Sequence, residues 1–519
     1  MKCSITILCL NLSLIFSLFL QTAQCAKILA VFPFPGPSQY ILVQPYLKAL
    51  AAKGHEMTVI NAFPQKQSIV NFRDVPVIEV HDNYAELVES AKIKRNKWEE
   101  MTFMAGFFLN LTETVVKNPD VQKLLNNEKF DLVIVEALHT DTWYAFARHF
   151  NASLIGLSSF GTDPIIDELM GNMSPLSYSP LITAGLTERM TYGERLKNVI
   201  LSYLEVLHAR VHTIPRQRKL ITTYLPHIKE DIWELRTNFS LMLLNNHFSL
   251  SFPRPYVPNM VEVGGFQISY KSKPLPQDIM NFINSSTQDV IYFSMGSNVK
   301  SKDFPAEKLQ MLNEVFSSLP YKILWKFENP TLPGKPDNVF IKSWFPQPDV
   351  LAHPRVKLFI SHGGLLSTSE AVYHGKPMLG LPVFYDQQMN IRKAVQSGFA
   401  LDIDFHTLPR EQFKSSILEI MKNPKYLNNA KTISNIFHDR PVKPLDLAVY
   451  WTEYVLRHKG AVHLQNPAQK MNFVQKYSID TVGVLVAALV LCVIVVIVNV
   501  WKIVKLVFEK KSTKKEKVN

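Results

Sequence analysis

The sequence predicts two facing α/β domains, each built on a doubly wound parallel sheet, followed by one membrane-spanning helix. Three observations predict it. Short apolar runs of strand length alternate with amphipathic stretches from Lys27 onward and again from Asp289, the pattern of parallel sheets covered on both faces. Between the two series Pro253, Pro255, Pro258, Pro274 and Pro276 punctuate a stretch too rich in proline for either element. Close to the C-terminus, Val482 to Val500 holds Asn499 as its only clearly polar residue and at about 1.5 Å per residue is long enough for a bilayer core.

In chain order, residues 1–25 read as a cleaved secretory leader: Lys2, an apolar run from Ile5 to Leu20, then the small-residue end Ala23-Gln24-Cys25. Lys27–Phe32 is a buried strand, followed by a Pro/Gly turn and a helix expected from Tyr40 to Lys53, stopped by Gly54. Met57–Asn61 is the next strand; Asp131–Glu136 and Ser153–Ser158 are two more, with a helical segment between them. The pattern loosens from about 160 to 240. After the prolines come strands at Asp289–Ser294, Lys322–Trp325, Val339–Ile341, Val356–Ile360 and Pro377–Leu381. The domains are expected at 26–260 and 277–440, with a linker at 261–276, returning helices and a stalk at 441–478, a spanning helix at 479–501 and a basic tail at 502–519. Ligands of such sheets sit beyond the carboxyl ends of the strands, so the residues just after each strand are the candidate site.

Of 519 residues, 47% are hydrophobic and 19% charged, which excludes disordered, collagen-like and multi-span membrane classes. The tail has seven lysines against Glu509 and Glu516, and with Lys2 it accounts for half of the net charge of +12. What remains is spread thinly over the long middle segment and makes no nucleic-acid footprint. The tail is expected on the cytoplasmic side and the rest in the lumen, as a single-pass type I protein. Lys515 and Lys517, fifth and third from the end, resemble a dilysine endoplasmic reticulum retrieval signal. All four cysteines, at 3, 9, 25 and 492, fall in the leader or the spanning run, so the lumenal part has no disulfide, cysteine nucleophile or Cys-based zinc site. Sequons at Asn110, Asn151, Asn172, Asn238 and Asn284 suit that compartment, some of them glycosylated.

Trp344-Phe345-Pro346-Gln347, Ser361-His362-Gly363-Gly364, Ser369-Glu370-Ala371, Pro382 and Asp386-Gln387 together resemble the donor-binding signature of the UDP-glycosyltransferases. With the leader, the Phe252-Pro253-Arg254-Pro255 linker, the spanning run and the basic tail, the resemblance covers nearly the whole chain and is greatest to membrane-bound animal members, especially the insect type. It implies the GT-B arrangement, with an acceptor-binding first domain and a UDP-sugar-binding second, and an inverting transfer of glucose or glucuronic acid to a small lipophilic acceptor without a metal. From the residues themselves, His362-Gly363-Gly364 follows a strand and opens a helix, where backbone amides and the helix dipole favour a diphosphate; His362 can donate to the same oxygens. The resemblance puts Trp344 on the uracil, Gln347 and Glu370 at the nucleotide end, Asp386 and Gln387 on the sugar hydroxyls, and Ser297 on the diphosphate or the nucleotide. It leaves a homo-oligomer open. Leu366 stands where vertebrate members often have an asparagine, a loss for which Ser367 and the backbone amides can compensate.

A second departure bears on catalysis. The histidine that such enzymes use to deprotonate the acceptor corresponds to Gln39, which cannot serve as a base; such a base is worth about 10²–10⁴ in rate. Another group could take over, Glu136 at the position of the orienting acid or His139 or Asp141 beside it. Alternatively, the acceptor needs little activation, or the protein binds UDP-sugar or a lipophilic ligand without turnover.

Overall fold

The computed structural model describes residues 25–516 apart from 83, 92 and 94. The expected leader, save Cys25, and Lys517 of the dilysine pair lie outside the described residues.

The first sheet has seven parallel strands: β1 (Lys27–Phe32), β2 (Glu56–Asn61), β3 (Phe72–Pro76), β4 (Leu132–Glu136), β5 (Ser153–Ser158), β6 (Leu241–Leu244) and β7 (Met260–Glu262), in the order β3-β2-β1-β4-β5-β6-β7. Side chains alternate across a strand, so β1 feeds two cores: Leu29 and Val31 join Val133, Val135 and Phe108, while Ile28, Ala30 and Phe32 join Val43, Tyr46 and Leu47. Both faces are covered, which is why the strands read as unbroken apolar runs.

Three helices of this domain bear on the site. The first, α1 (Pro37–Ala52), begins three residues earlier than expected, because Pro37 occupies its first turn with φ already suited to a helix. Gln39 is therefore in a helical first turn and not in a loop. Next, α2 (Lys97–Lys117) opens with a reciprocal cap: Asn96 accepts from the Glu99 N–H, and the Glu99 side chain accepts from the Asn96 N–H. The loosely patterned stretch is mostly helical. Its longest element is α3 (Tyr192–His208), prolonged by a wide turn at Ala209–Thr213 and followed by helices at Ile214–Tyr224 and Ile232–Arg236.

The second sheet is β8 (Val290–Ser294), β9 (Lys322–Lys326), β10 (Val339–Lys342), β11 (Val356–Ser361), β12 (Met378–Gly380) and β13 (Ala400–Asp402), all parallel, in the order β10-β9-β8-β11-β12-β13. Strand order reverses beside β1 in the first sheet and beside β8 in the second, the switch points where such sheets hold ligands. Helices α4 (Gln347–Ala352), α5 (Leu365–Tyr373) and α6 (Gln387–Gln396) follow strands of this sheet. The domains touch where Lys393 of α6 pairs with Glu188 at 2.8 Å. A later helix, α7 (Pro444–Arg457), lies on the first domain: Ala448, Val449 and Val455 enter its core, and Tyr46 and Thr452 share a 2.5 Å hydrogen bond. Residues 467–519 form a separate unit, in which α8 (Ile479–Glu516) runs past the expected end of the spanning helix; its stretch Ile479–Glu509 is long and apolar enough to cross a membrane.

Of the sequons, Asn172 is 3% exposed, with its amide bonded to Asp167 and the Pro255 carbonyl, so it cannot carry a glycan in this fold. The other four asparagines are exposed.

Candidate active site

The loop after β11 is built around glycines. Gly363 has φ +82°, and Ile391 lies where a Cβ would go. Its carbonyl accepts from Asn390 Nδ2 at 3.0 Å and its N–H donates to Ser361 Oγ at 3.3 Å. Gly364 caps α5 in an extended conformation, and a Cβ there would come within 2.7 Å of His362 Nε2. Gly296, after β8, has φ +77° and also packs against the Cε1–Nε2 edge of this imidazole. His362 is thus packed against two glycines at the mouth of a helix N-terminus, where free amides favour an anion. Burial, and then the charge of Lys326, push its pKa down to about 4, so the ring is neutral near pH 7 and donates through one nitrogen.

Within α5, Ser367 and Glu370 face α4. Gln347 Nε2 donates to both, at 3.0 Å to Ser367 Oγ and 2.8 Å to Glu370 Oε2, while its Oε1 accepts from the Tyr292 hydroxyl at 3.2 Å. Burial raises Glu370 to about 7, opposed by the Gln347 bond. Trp344, just before α4, is 53% exposed, with Lys326 Nζ 5.6 Å from its ring centre, so its indole face is open to a stacking partner. After β12, Gln387 Oε1 accepts from the Val383 and Phe384 N–H groups at 2.8 and 3.1 Å and pins the turn. Beside it the Asp386 carboxyl accepts from Asn390 Nδ2 at 2.6 Å and is raised by burial to about 6. Ser297, His362, Gly364, Ser367, Asp386 and Gln387 all line one cleft of about 1000 Å³. Leu366 lines it too and packs against the first domain's core, so the missing amide is replaced by an apolar contact between domains.

The first domain's wall is largely apolar, with Phe34, Leu42, Phe103, Met104 and Phe108, and Gln39, Arg95 and Glu100 among them. Gln39 Oε1 accepts from Ser38 Oγ at 2.8 Å. Glu136, at the end of β4, is 2% exposed; Ser159 Oγ donates to its Oε1 at 2.6 Å, and burial raises it to about 7. Ser159 itself lines the cleft. The other two candidates are not brought there. Asp141 is buried in an ion pair with Arg236, which takes up its charge. His139, in a left-handed conformation with φ 52°, lines a narrow adjoining cavity beside Phe108, and burial lowers its pKa. Neither position was legible from sequence spacing, because both depend on the helices at 192–236. Sequence reasoning missed Asn390, which ties Asp386 to Gly363; its place four residues after Asp386, one helical turn, is the signal that could have found it. Ser159, the residue after β5, stood where strand-end reasoning directs attention.

Among the described residues no group of three or more His, Cys, Asp or Glu is placed to hold a metal ion.

The chain matches the family model described as "UDP-glucoronosyl and UDP-glucosyl transferase" over residues 27–518. It is 35% identical to UDP-glycosyltransferase UGT5 of Dactylopius coccus over 485 residues, 92% of each chain. It is 30% identical to UDP-glucuronosyltransferase 2A3 of Cavia porcellus over 494 residues, 91% of this chain and 92% of that one. Among solved structures, Spinosyn Forosaminyltransferase SpnP superposes with a TM-score of 0.56 at 15% identity, over 84% of this chain and all of that one, which shows the fold: GT-B. With its two facing parallel sheets and His362, Gly364, Ser367, Asp386 and Gln387 of the motif lining one cleft, this chain is a glycosyltransferase that belongs to the UDP-glucoronosyl and UDP-glucosyl transferase family.

Proposed function

We propose that the protein transfers glucose from UDP-glucose, with inversion, to a small lipophilic acceptor. One observation above all supports the reading: the cleft has an ordered polar wall on the second domain and a largely apolar wall on the first. The polar wall also favours a neutral sugar. Asp386, Asp402 and Asp404 line it, and no lysine or arginine of the second domain is among its described lining residues. UDP-glucuronate is the second donor to test, since mammalian relatives at about 30% identity are named for glucuronosyl transfer.

Trp344 stacks on the uracil, and Glu370, positioned by Gln347, accepts from the ribose hydroxyls. Ser297, Ser367, the Gly364 amide and the neutral His362 donate to the diphosphate, which the side-chain-free turn at Gly363 lets approach, while Asp386 and Gln387 hold the sugar. The acceptor oxygen attacks the anomeric carbon from the face opposite UDP. As that bond forms, the bond to the diphosphate oxygen breaks and its electron pair leaves with UDP. The acceptor's proton passes to Ser159 Oγ as Ser159 gives its own to Glu136, so Glu136 replaces the base missing at Gln39. Expected domain boundaries near 260 and 277, a lumenal active site and residence in the endoplasmic reticulum belong to the same proposal. UDP release by membranes containing the protein, supplied with UDP-glucose or UDP-glucuronate and a panel of phenols, alcohols, carboxylic acids and amines, tests it. Acceptor-dependent release with UDP-glucose is expected; release only with UDP-glucuronate would overturn the donor assignment, and none with either would overturn the transfer.

A further inference from the structure

The amphipathicity of α3 is inverted. A helix on the surface of a water-soluble domain turns its apolar stripe inward. Here the buried residues of the helix are polar: Asn198, Ser202 and His208. Asn198 is held there because its amide closes the preceding loop, accepting from the Leu181 N–H at 2.7 Å and donating to the Leu176 and Ser179 carbonyls. At 100° per residue the opposite face carries Tyr192, Leu196, Ile200, Tyr203 and Leu207, with Val211 continuing the row, and these six are 51% to 76% exposed. The row is roughly 28 Å long at 1.5 Å per residue. Exposed Arg195 and Lys197 flank it on either side. Trp98, partly exposed, packs beside the end of the helix against His208 and His212.

A long apolar row edged by cations and aromatic rings is the pattern of a helix lying in a lipid headgroup region. The chain supplies the surface. From Asn466, where this unit ends, about a dozen residues lead to Ile479, the start of the helix able to cross a membrane; fully extended they reach roughly 40 Å. The end of the domain at Asn466 is held within that distance of the bilayer. We infer that the outer face of α3 docks on the lipid bilayer surface, with the six apolar side chains below the headgroups. Its inner face supplies Glu205, His208 and Ala209 to the narrow cavity that shares Met104, Phe108 and Tyr385 with the main cleft, so the docked face lies one helix thickness from the acceptor wall.

The test uses the full chain in phosphatidylcholine vesicles, with its native cysteines replaced by serine and a fluorophore on Ile200→Cys, on Tyr203→Cys, or on Ser415→Cys in the second domain as control. With nitroxide-labelled phosphatidylcholine in the bilayer, the first two positions are expected to be quenched several-fold more than the third. Equal quenching at all three, or none, overturns the inference. So does cross-linking between copies through Ile200→Cys, which would make the face a dimer contact. The readout needs no turnover, so it stands apart from the proposed transfer.

Discussion

The two walls of the cleft are made differently. On the second domain the side chains proposed to meet the UDP-sugar bond to one another: Gln347 to Ser367 and Glu370, Asn390 to Asp386 and Gly363. All come from one stretch of chain between Trp344 and Asn390. On the first domain the lining is more apolar than polar, drawn from α1, α2 and several strand-end loops; its polar groups are Ser38, Gln39, Tyr84, Arg95, Glu100, Ser159 and Thr183, among which Ser38 bonds to Gln39 and Ser159 to Glu136 behind the wall. The contrast teaches that the proposed donor site is a bonded network, whose groups hold their places before anything binds, while the proposed acceptor site is mainly a shape.

Breaking the network at its centre has the largest expected effect. His362→Ala removes a donor aimed at the leaving diphosphate and is expected to lower kcat about 10²–10³-fold in the UDP-release assay; a loss smaller than about tenfold would deny it that role. Glu370→Ala removes an acceptor and leaves the Gln347 amide with one partner fewer. It should raise KM for the UDP-sugar by about tenfold, with little change in kcat. If kcat falls instead, Glu370 does more than bind. On the first domain, Ser159→Ala and Glu136→Gln are each expected to slow transfer to aliphatic alcohols about 10–100-fold, and the double variant no further, because both interrupt one proton path. Acidic phenols should be nearly unaffected, and Gln39→His in the Ser159→Ala background should restore transfer. Additive losses would argue for separate roles. In the wild type the same path makes kcat for alcohols rise with pH through about 7 as Glu136 ionises; a flat profile between pH 6 and 8 would count against it.

The smallest effect concerns stability. Glu370 and Asp386, raised by burial to about 7 and about 6, favour the folded state while protonated, so that stability is full below their unfolded values near 4 and is lost as pH rises through 6 to 7. His362, lowered to about 4, acts at the other end: its stability is full above about 6.5 and is lost as pH falls towards 4. Glu370→Gln should therefore raise Tm by a few degrees at pH 8 and by less at pH 5, measured by calorimetry. An equal shift at both would show that its carboxyl is not charged in the folded protein.

The same contrast explains what could be read in advance. Strands β1, β2, β4, β5, β8, β9, β11 and β12 were legible because burial on both faces writes them as continuous apolar runs, and β10, an edge strand only partly buried, because Val339–Ile341 is apolar all the same. The donor wall was legible because its residues are close in sequence and their glycines have a local reason. By contrast, β3, β6, β7 and β13 escaped notice: β7 and β13 have three residues each and β3 is only half-buried. The region 160–240 looked unpatterned because it is helices and turns of unequal length with no strand between them, although α3 itself carries a helical period. Asp141 looked available because a sequence cannot tell that Arg236, 95 residues away, will take its charge inside the fold.

The hydrogen bond between Tyr46 and Thr452 joins residues 406 positions apart. A ribosome delivers α1 early and the helix that covers it almost last, after the entire second domain has emerged. The first domain therefore cannot finish before the second, although it is made first. Until α7 arrives, the apolar face of α1 around Val43, Tyr46 and Leu47 lacks its cover, and that interval of synthesis is when the nascent chain is most exposed to aggregation and in greatest need of a chaperone.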